Sequence, residues 1–242
     1  MRTSVYLNNK ILKNTIVDSV EKKVEAILDK FETKAVIFDL DGTLIDNNSY
    51  HRITWEKYLE KIGKKISEEE FNANMNGRTN EDAIKYIFGK ETSNEEALKH
   101  TLEKEALYRE IYKPFIKPIT GLIGFLDILK RKNIMMAIAT SGIQPNIDFM
   151  FENILIKKYF RVIVNSSHIK KGKPHPEIYL KASSLLKVLP GNCLVFEDAV
   201  VGIRSAKAAG MKVVALATTQ PKAELKEADM IIDNYNFKES KY

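Results

Sequence analysis

FDLDGTL, residues 38–44, decides how this chain is read. An apolar β-type run from Ala35 to Phe38 leads into two acids, Asp39 and Asp41, and then into Gly42. Residues two apart on a strand point to the same side, and glycine tolerates the positive φ that a tight turn needs. Asp39 and Asp41 are therefore expected to face one spot where the strand ends. Two carboxylates in one place repel each other unless a cation, a shared proton or an electrophile lies between them. The pattern suits phosphoryl transfer, in which one acid attacks, the other handles a proton and a metal neutralises phosphate oxygens. A strand entering a polar Asp-Gly turn is the plain alternative, and a bare Asp-Gly would read that way.

Composition narrows the classes. A chain of 242 residues can bury one large core with an insertion, or two small ones. With 44% hydrophobic and 29% charged residues it reads as a soluble globular protein. The net charge of +6 comes from lysines spread along the chain. No basic run interleaved with aromatics suggests a nucleic-acid surface, so the bias is toward small anions. The lone cysteine, Cys193, sits in the apolar run CLVF; it excludes an intrachain disulfide and reads as a buried, inert thiol. The N-terminus has no signal-type apolar core, and no stretch approaches the ~18 apolar residues of a membrane span. The expectation is a cytoplasmic monomer acting on a small metabolite, with neither nucleic acid nor membrane as partner.

The texture divides the chain. Residues 1–33 form an extension in which Ile16, Val17, Val20, Val24, Ile27, Leu28 and Phe31 recur at helical spacing. Residues 34–46 and 117–242 alternate strands with helices. The strand candidates are 35–39, 134–140, 161–165, 193–198, 212–217 and 230–233; helical patterns lie at 121–132, 145–157, 176–188 and 199–209. Such alternation with apolar strands implies parallel pairing and a sheet covered on both faces. Residues 47–116 hold no convincing strand. Trp55, Tyr58, Leu59 and Ile62 share one helical face, as do Ala83, Ile84, Ile87 and Phe88, which predicts a small helical domain inserted after the first strand. Pro114, Pro118 and Gly121 mark its exit.

Ligands of an open parallel sheet bind beyond the carboxyl ends of its strands. Those ends carry Asp39 and Asp41; Thr140, Ser141 and Gly142; a loop reaching Lys173 and His175; and Glu197 with Asp198. Taken singly, each has a structural reading. Thr140 and Ser141 could cap a helix or shape a turn, Lys173 could be a surface lysine, and the two acids could sit at a helix N-terminus.

Taken in order, FDLDGTL (38–44), IMMAIATSG (134–142), GKPHPEIY (172–179) and VFEDAVVGIRSAKAAG (195–210) resemble the four motifs of the haloacid dehalogenase-like superfamily. The helical insertion resembles the cap of the branch that includes β-phosphoglucomutase and phosphoglycolate phosphatase. The resemblance implies a Rossmann-like, doubly wound α/β core with an all-helical cap, and a phosphotransferase. It implies Asp39 as nucleophile, Asp41 as general acid and base, Thr140 and Ser141 as phosphate hydrogen-bond donors with Gly142 beside them, and Lys173 as the balancing cation. It also implies Mg²⁺ on Asp39, Asp198 and the Asp41 carbonyl, with Glu197 bound directly or through water; oxygen-only donors favour that ion. Gly202, Arg204 and Lys207 read as parts of the following helix.

In the cap, His51 matches a cap-entry histidine that resembles a proton-relay and gating element, although an ordinary helix-start histidine is the alternative. Gly77, Arg78 and Thr79 resemble the specificity loop, with Arg78 able to grip an anion. The mutase-like pattern has its phosphate-gripping arginine where this chain aligns Asn80, a departure that counts against mutase activity. The leading expectation is hydrolysis of a small phosphate ester such as a sugar phosphate, ahead of a β-phosphoglucomutase-type phosphomutase. A phosphoacceptor signalling domain comes third, opposed by Asp41 and the cap, and haloacid dehalogenation is weaker still.

Overall fold

The six apolar runs become six strands: β1 (Ala35–Phe38), β2 (Met135–Ala139), β3 (Val162–Val164), β4 (Cys193–Glu197), β5 (Lys212–Leu216) and β6 (Met230–Ile232). In this computed structural model, which describes residues 19–75 and 79–237, they form one sheet in the order β3-β2-β1-β4-β5-β6. Every pairing is parallel. Successive strand residues face opposite ways, and the sheet uses both directions. Val36, Phe38, Met136, Ile138, Leu194 and Phe196 enter one core, while Ala35, Ile37, Ala137, Ala139 and Val195 enter the other. That is why the runs are continuously apolar rather than alternating.

Helices α6 (Leu122–Arg131) and α7 (Gln144–Asn153) cover the first face through Leu122, Phe125, Leu126, Ile147 and Met150. Helices α8 (Glu177–Leu186) and α9 (Val200–Ala208) cover the second through Ile178, Tyr179, Ala182, Ile203 and Ala206. The helix expected over 16–31 runs through 19–30 as α1; residues 1–18 lie outside the described residues. Val24, Ile27 and Leu28 of α1 join the first core, and the Lys23 ammonium donates to the Phe237 carbonyl at 3.0 Å.

Between β1 and β2 lie α2 (Asn48–Lys61), α3 (Glu68–Asn74), α4 (Asn80–Phe88) and α5 (Asn94–Tyr112). They enclose a separate cluster built on Trp55, Tyr58, Met75, Ala83, Ile84 and Ala97. Their starts are fixed chemically. Ser67 and Glu70 make a capping box, while the Thr79 and Ser93 hydroxyls accept the N–H groups of Asp82 and Glu96. The end of α5 returns to the main body, where Tyr108 and Tyr112 are buried in the first core. No helix among the described residues is long and apolar enough to cross a membrane.

Strand β1 lies between β2 and β4, where the order of the sheet reverses. Phe38 pairs with Ile138 on one side and Phe196 on the other, so the loops after all three strands converge on Asp39. This is the crevice in which such sheets bind ligands.

Candidate active site

The chain leaves β1 at Asp39, whose N–H donates to the Phe196 carbonyl at 3.0 Å, and turns at Gly42 with φ +69°. A Cβ at Gly42 would lie 2.1 Å from Asp198 Oδ2, so the turn needs glycine both for its φ and for the space given to that carboxylate. Asp39 is buried against Lys173, whose Nζ donates to Asp39 Oδ1 at 2.7 Å and to Glu197 Oε1 at 2.6 Å. Burial pulls the Lys173 ammonium down, but Asp39 and Glu197 outweigh it and hold its pKa well above the ordinary lysine value. Lys173 is a fixed positive charge.

Glu197, expected at the cation, faces Lys173 instead. Its Oε1 also accepts from the Tyr179 hydroxyl at 3.1 Å, and its Oε2 accepts the N–H groups of Asp198 and Ala199 at 2.8 Å each. Both oxygens are engaged, and what Glu197 does here is orient the lysine. Gly202 makes this possible, since a Cβ there would fall 1.6 Å from Glu197 Oε1. Gly202→Ala should displace that carboxylate and Lys173 with it. We expect kcat to fall by about 10²-fold, the scale of a 1 Å misplacement, with the circular dichroism spectrum retained. An unchanged kcat would show that Lys173 is placed independently of Glu197.

Asp198 completes the acid cluster. Its Oδ1 accepts from the Thr43 hydroxyl at 3.4 Å; its Oδ2 accepts from Asn48 Nδ2 at 3.1 Å and from the Thr219 hydroxyl. Burial raises the Asp39 carboxyl to about 7, with Lys173 opposing and Glu197 and Asp41 adding to the rise. Burial, then Glu197 and Asp39, push Asp198 well above the usual carboxylate range. Three buried acids thus surround one lysine. The chemistry of a hard divalent cation fits this excess of oxygen charge. Among the described residues no group of three or more His, Cys, Asp or Glu side chains is arranged to hold a metal, so any cation here leans on backbone and water as well.

Asp41 lies in a different environment. Asn47, at the N-cap position of α2, makes no capping bond to its own helix. Its Oδ1 accepts the Gly42 N–H at 3.0 Å, and its Nδ2 donates to Asp41 Oδ1 at 2.5 Å and to the Tyr108 hydroxyl at 2.6 Å. His51 stacks on Tyr108 with centroids 4.0 Å apart and places Nε2 3.7 Å from Asp41 Oδ1. On its other side His51 Nδ1 lies 3.1 Å from Lys104 Nζ. An ammonium can only donate, so in a neutral His51 the Nδ1 would accept and the proton would sit on Nε2, which lies between Asp41 Oδ1 and the Asn47 amide nitrogen at 3.3 Å. Burial works to raise Asp41, but His51 and Asn47 outweigh it and hold the carboxyl below its ordinary value. Two acids two residues apart thus have opposite shifts, the separation expected of a pair with different tasks.

Thr140 is buried at the end of β2, and its Oγ1 accepts the Gly142 N–H at 3.0 Å. It shapes the turn and does not cap α7, whose N-cap is Ile143. A Cβ at Gly142 would lie 3.8 Å from Asp41 Oδ2, so this loop closes over the acids. Ser141, with Ile143, Thr79, Asn80 and Thr101, lines a cleft of about 410 Å³ between cap and core. Thr79 spends its hydroxyl on Asp82 at 2.8 Å, and Asn80 Nδ2 donates to Glu105 Oε1 at 2.8 Å. Gly77 and Arg78 lie outside the described residues. His175 is 44% exposed beside Glu177, while Arg204 and Lys207 pair with Glu227 and Asp229 on the surface. Asn47, Asn48, Lys104, Tyr108 and Thr219 also reach the site, and no motif in the sequence points to them.

Comparison with known proteins agrees with this geometry. Residues 36–216 match the family of haloacid dehalogenase-like hydrolases. A β-phosphoglucomutase of Bacillus subtilis is 32% identical over 210 residues, covering 82% of this chain and 88% of that protein. A phosphorylated carbohydrates phosphatase of Thermotoga maritima is 32% identical over 186 residues, covering 74% and 82%. A family IA, variant 3 hydrolase of Entamoeba histolytica superposes with a TM-score of 0.78 at 38% identity, over 84% of this chain and 94% of that one. With four strand ends converging on Asp39 and relatives that move phosphoryl groups, the chain belongs to the haloacid dehalogenase-like hydrolases, in the branch of phosphatases and phosphomutases that carry a helical cap.

Proposed function

We propose that this protein is a Mg²⁺-dependent phosphatase of small phosphate esters, with sugar phosphates as the substrate class. Asp39 attacks phosphorus and the bond from phosphorus to the ester oxygen breaks, leaving an aspartyl-phosphate; Asp41 gives the departing oxygen its proton. Water then attacks the phosphoenzyme, Asp41 takes the proton, and Asp39 is released. Asp41 is ionised at rest, and a phosphate dianion beside it raises its pKa, so binding of substrate loads the acid. Lys173 offsets the repulsion between nucleophile and phosphate, and Thr140 and Ser141 orient the phosphate oxygens. Asp39, Asp198 and the Asp41 carbonyl would hold Mg²⁺, which when bound would neutralise charge on the phosphate oxygens. The cap closes over the cleft and excludes bulk water.

One observation favours hydrolysis over isomerisation. A mutase must hold the distal phosphate of a bisphosphate intermediate, and the position aligned with its arginine is Asn80, whose amide is bound to the Glu105 carboxylate. An amide tied to an acid is a poor anion site. β-Glucose 1-phosphate with a bisphosphate primer should therefore yield more inorganic phosphate than glucose 6-phosphate. Coupled glucose 6-phosphate detection beside phosphate release on one sample decides the matter. Isomerisation outrunning hydrolysis by about ten-fold or more, a clear margin in barrier terms, would make the mutase the right reading.

A further inference from the structure

We propose that Glu105 is a positioning residue whose buried carboxylate seats the cap on the core through Asn146, and so holds the His51–Lys104 pair against Asp41. Lys104 and Glu105 lie side by side on α5 and are 1% and 2% exposed. Glu105 Oε1 accepts from Lys104 Nζ at 2.8 Å and from Asn80 Nδ2 of α4 at 2.8 Å. Its Oε2 accepts from Asn146 Nδ2 at 2.7 Å. Asn146 belongs to the first turn of α7, on the core. One helical turn along α5, Arg109 Nη1 donates to Asn146 Oδ1 at 2.8 Å. Residues four apart on a helix share a face, so Glu105 and Arg109 grip the two ends of one amide. A carboxylate can only accept and a guanidinium can only donate, so the amide has one orientation that satisfies both.

This contact lies where the cap comes down. Toward the start of α5 the two bodies are separated by the cleft that Leu98 and Thr101 line; at Glu105 they meet. Lys104, on the same turn, reaches His51, and His51 reaches Asp41 of the core. Seating α5 on α7 therefore fixes the distance from the cap imidazole to the core acid.

The chemistry suits a contact that must open. A buried ion pair gives little net stability, because desolvation offsets its attraction. When the cap lifts, Asn146 and Arg109 regain water while Glu105 keeps Lys104 and Asn80 inside the cap, so opening leaves no polar group stranded. One turn further on, Tyr108 and Tyr112 pack on Phe149 of α7, so the polar pair sets the geometry of a contact that aromatic rings continue. Burial works against ionisation of Glu105, but Lys104, His51 and Asn146 outweigh it and hold the carboxyl at about 2, so the charge persists at any working pH.

The catalytic consequence rests on the phosphatase reading; the seating of the cap does not, and two measurements separate them. In the full-length protein, Glu105→Gln should lower kcat for p-nitrophenyl phosphate about ten-fold or more, as loss of a charge-assisted bond does, with KM changed less. The exchange E105Q/N146D returns a carboxylate to the contact, now on the α7 side and facing both the amide introduced on α5 and the Arg109 guanidinium. It should recover most of the lost kcat. If Glu105 merely neutralised Lys104, the exchange would recover nothing, and the proposal would be overturned. Amide hydrogen exchange without substrate is the second measurement. E105Q should speed exchange in residues 101–112 and 143–148 while β1, β2 and β4 stay protected. Unchanged exchange at these segments overturns the seating whatever the enzyme's substrate proves to be. Should E105Q fail to fold, Asn146→Ala carries the same local exchange pattern as its expected result, and protection equal to wild type in that variant sinks the idea.

Discussion

Asp39→Asn should abolish turnover while leaving the fold in place. The substitution is nearly isosteric and keeps one oxygen toward Lys173, which now donates to Asp39 Oδ1 at 2.7 Å. It removes the group that attacks phosphorus, and loss of a covalent nucleophile lowers kcat by about 10⁴-fold or more. The acyl-phosphate should vanish with it: mass spectrometry of acid-quenched wild-type enzyme should detect covalent phosphate on residues 35–44, and the variant should carry none. Retention of fold follows from the neighbourhood, because Lys173 keeps its bond to Glu197 at 2.6 Å and the Asp39 N–H keeps its bond to Phe196. Near-wild-type kcat in this variant would eliminate the covalent mechanism. A lost circular dichroism signal would instead show that the Asp39–Lys173 pair holds the strand ends together.

The sheet is legible because its strands are buried on both faces, which writes each one as an unbroken apolar run such as AVIF or CLVF. Its ends are legible because acids, a threonine and a lysine stand where such runs stop. Glu197 reads toward the cation because its neighbour Asp198 is an acid of the same strand end. The counter-signal is Gly202, five residues on in an otherwise ordinary helix, where the missing side chain makes room for the Glu197 carboxylate. Asn47 has the look of a helix-start residue, although its side chain serves Asp41 and Tyr108 and caps nothing.

Lys104 and Glu105 are hidden for another reason. In NEEALKHTLEKEALYREIY a lysine and a glutamate look like solvated helix surface. They are buried because α5 packs on α2 and α4, where Lys104 lies over the Trp55 ring and Glu105 takes the Asn80 amide, and on α7 through Asn146, contacts between segments far apart in the chain that no local pattern encodes. A hint exists: Thr101, Lys104, Glu105, Tyr108 and Tyr112 recur at helical spacing and are all buried, so the charged pair interrupts a stripe that aromatics continue. A charge inside such a stripe is costly unless it has partners, and here Lys104 has His51 while Glu105 has Asn80 and Asn146.

Excess chelator should silence the enzyme and Mg²⁺ should restore it, and the stabilisation that Mg²⁺ gives should grow with pH. Burial raises Asp39 to about 7 and, with Glu197 and Asp39 adding their repulsion, takes Asp198 well above the carboxylate range. Groups whose folded pKa exceeds the unfolded one contribute stability that is full at pH values below the unfolded pKa. That contribution is lost as pH rises through the folded pKa, because buried acids must then ionise against one another. The metal-free protein should accordingly melt lower at pH 8 than at pH 5 on account of these two residues. A divalent cation takes the place of the protons, binds the ionised acids and stabilises the folded state by mass action. At ~100 times its dissociation constant, Mg²⁺ should raise Tm by roughly 5–10 °C at pH 8, and by much less at pH 5, where protons compete for the same oxygens. Asp198→Asn removes one of the two raised acids and one cation donor. It should flatten the pH dependence of the metal-free Tm and shrink the Mg²⁺ shift at pH 8, with an increased Mg²⁺ requirement for turnover. Scanning calorimetry at both pH values, with and without Mg²⁺, separates the cases. Equal Mg²⁺ shifts at pH 5 and pH 8 would place the cation away from Asp39 and Asp198, and full turnover in excess chelator would remove it from the mechanism altogether.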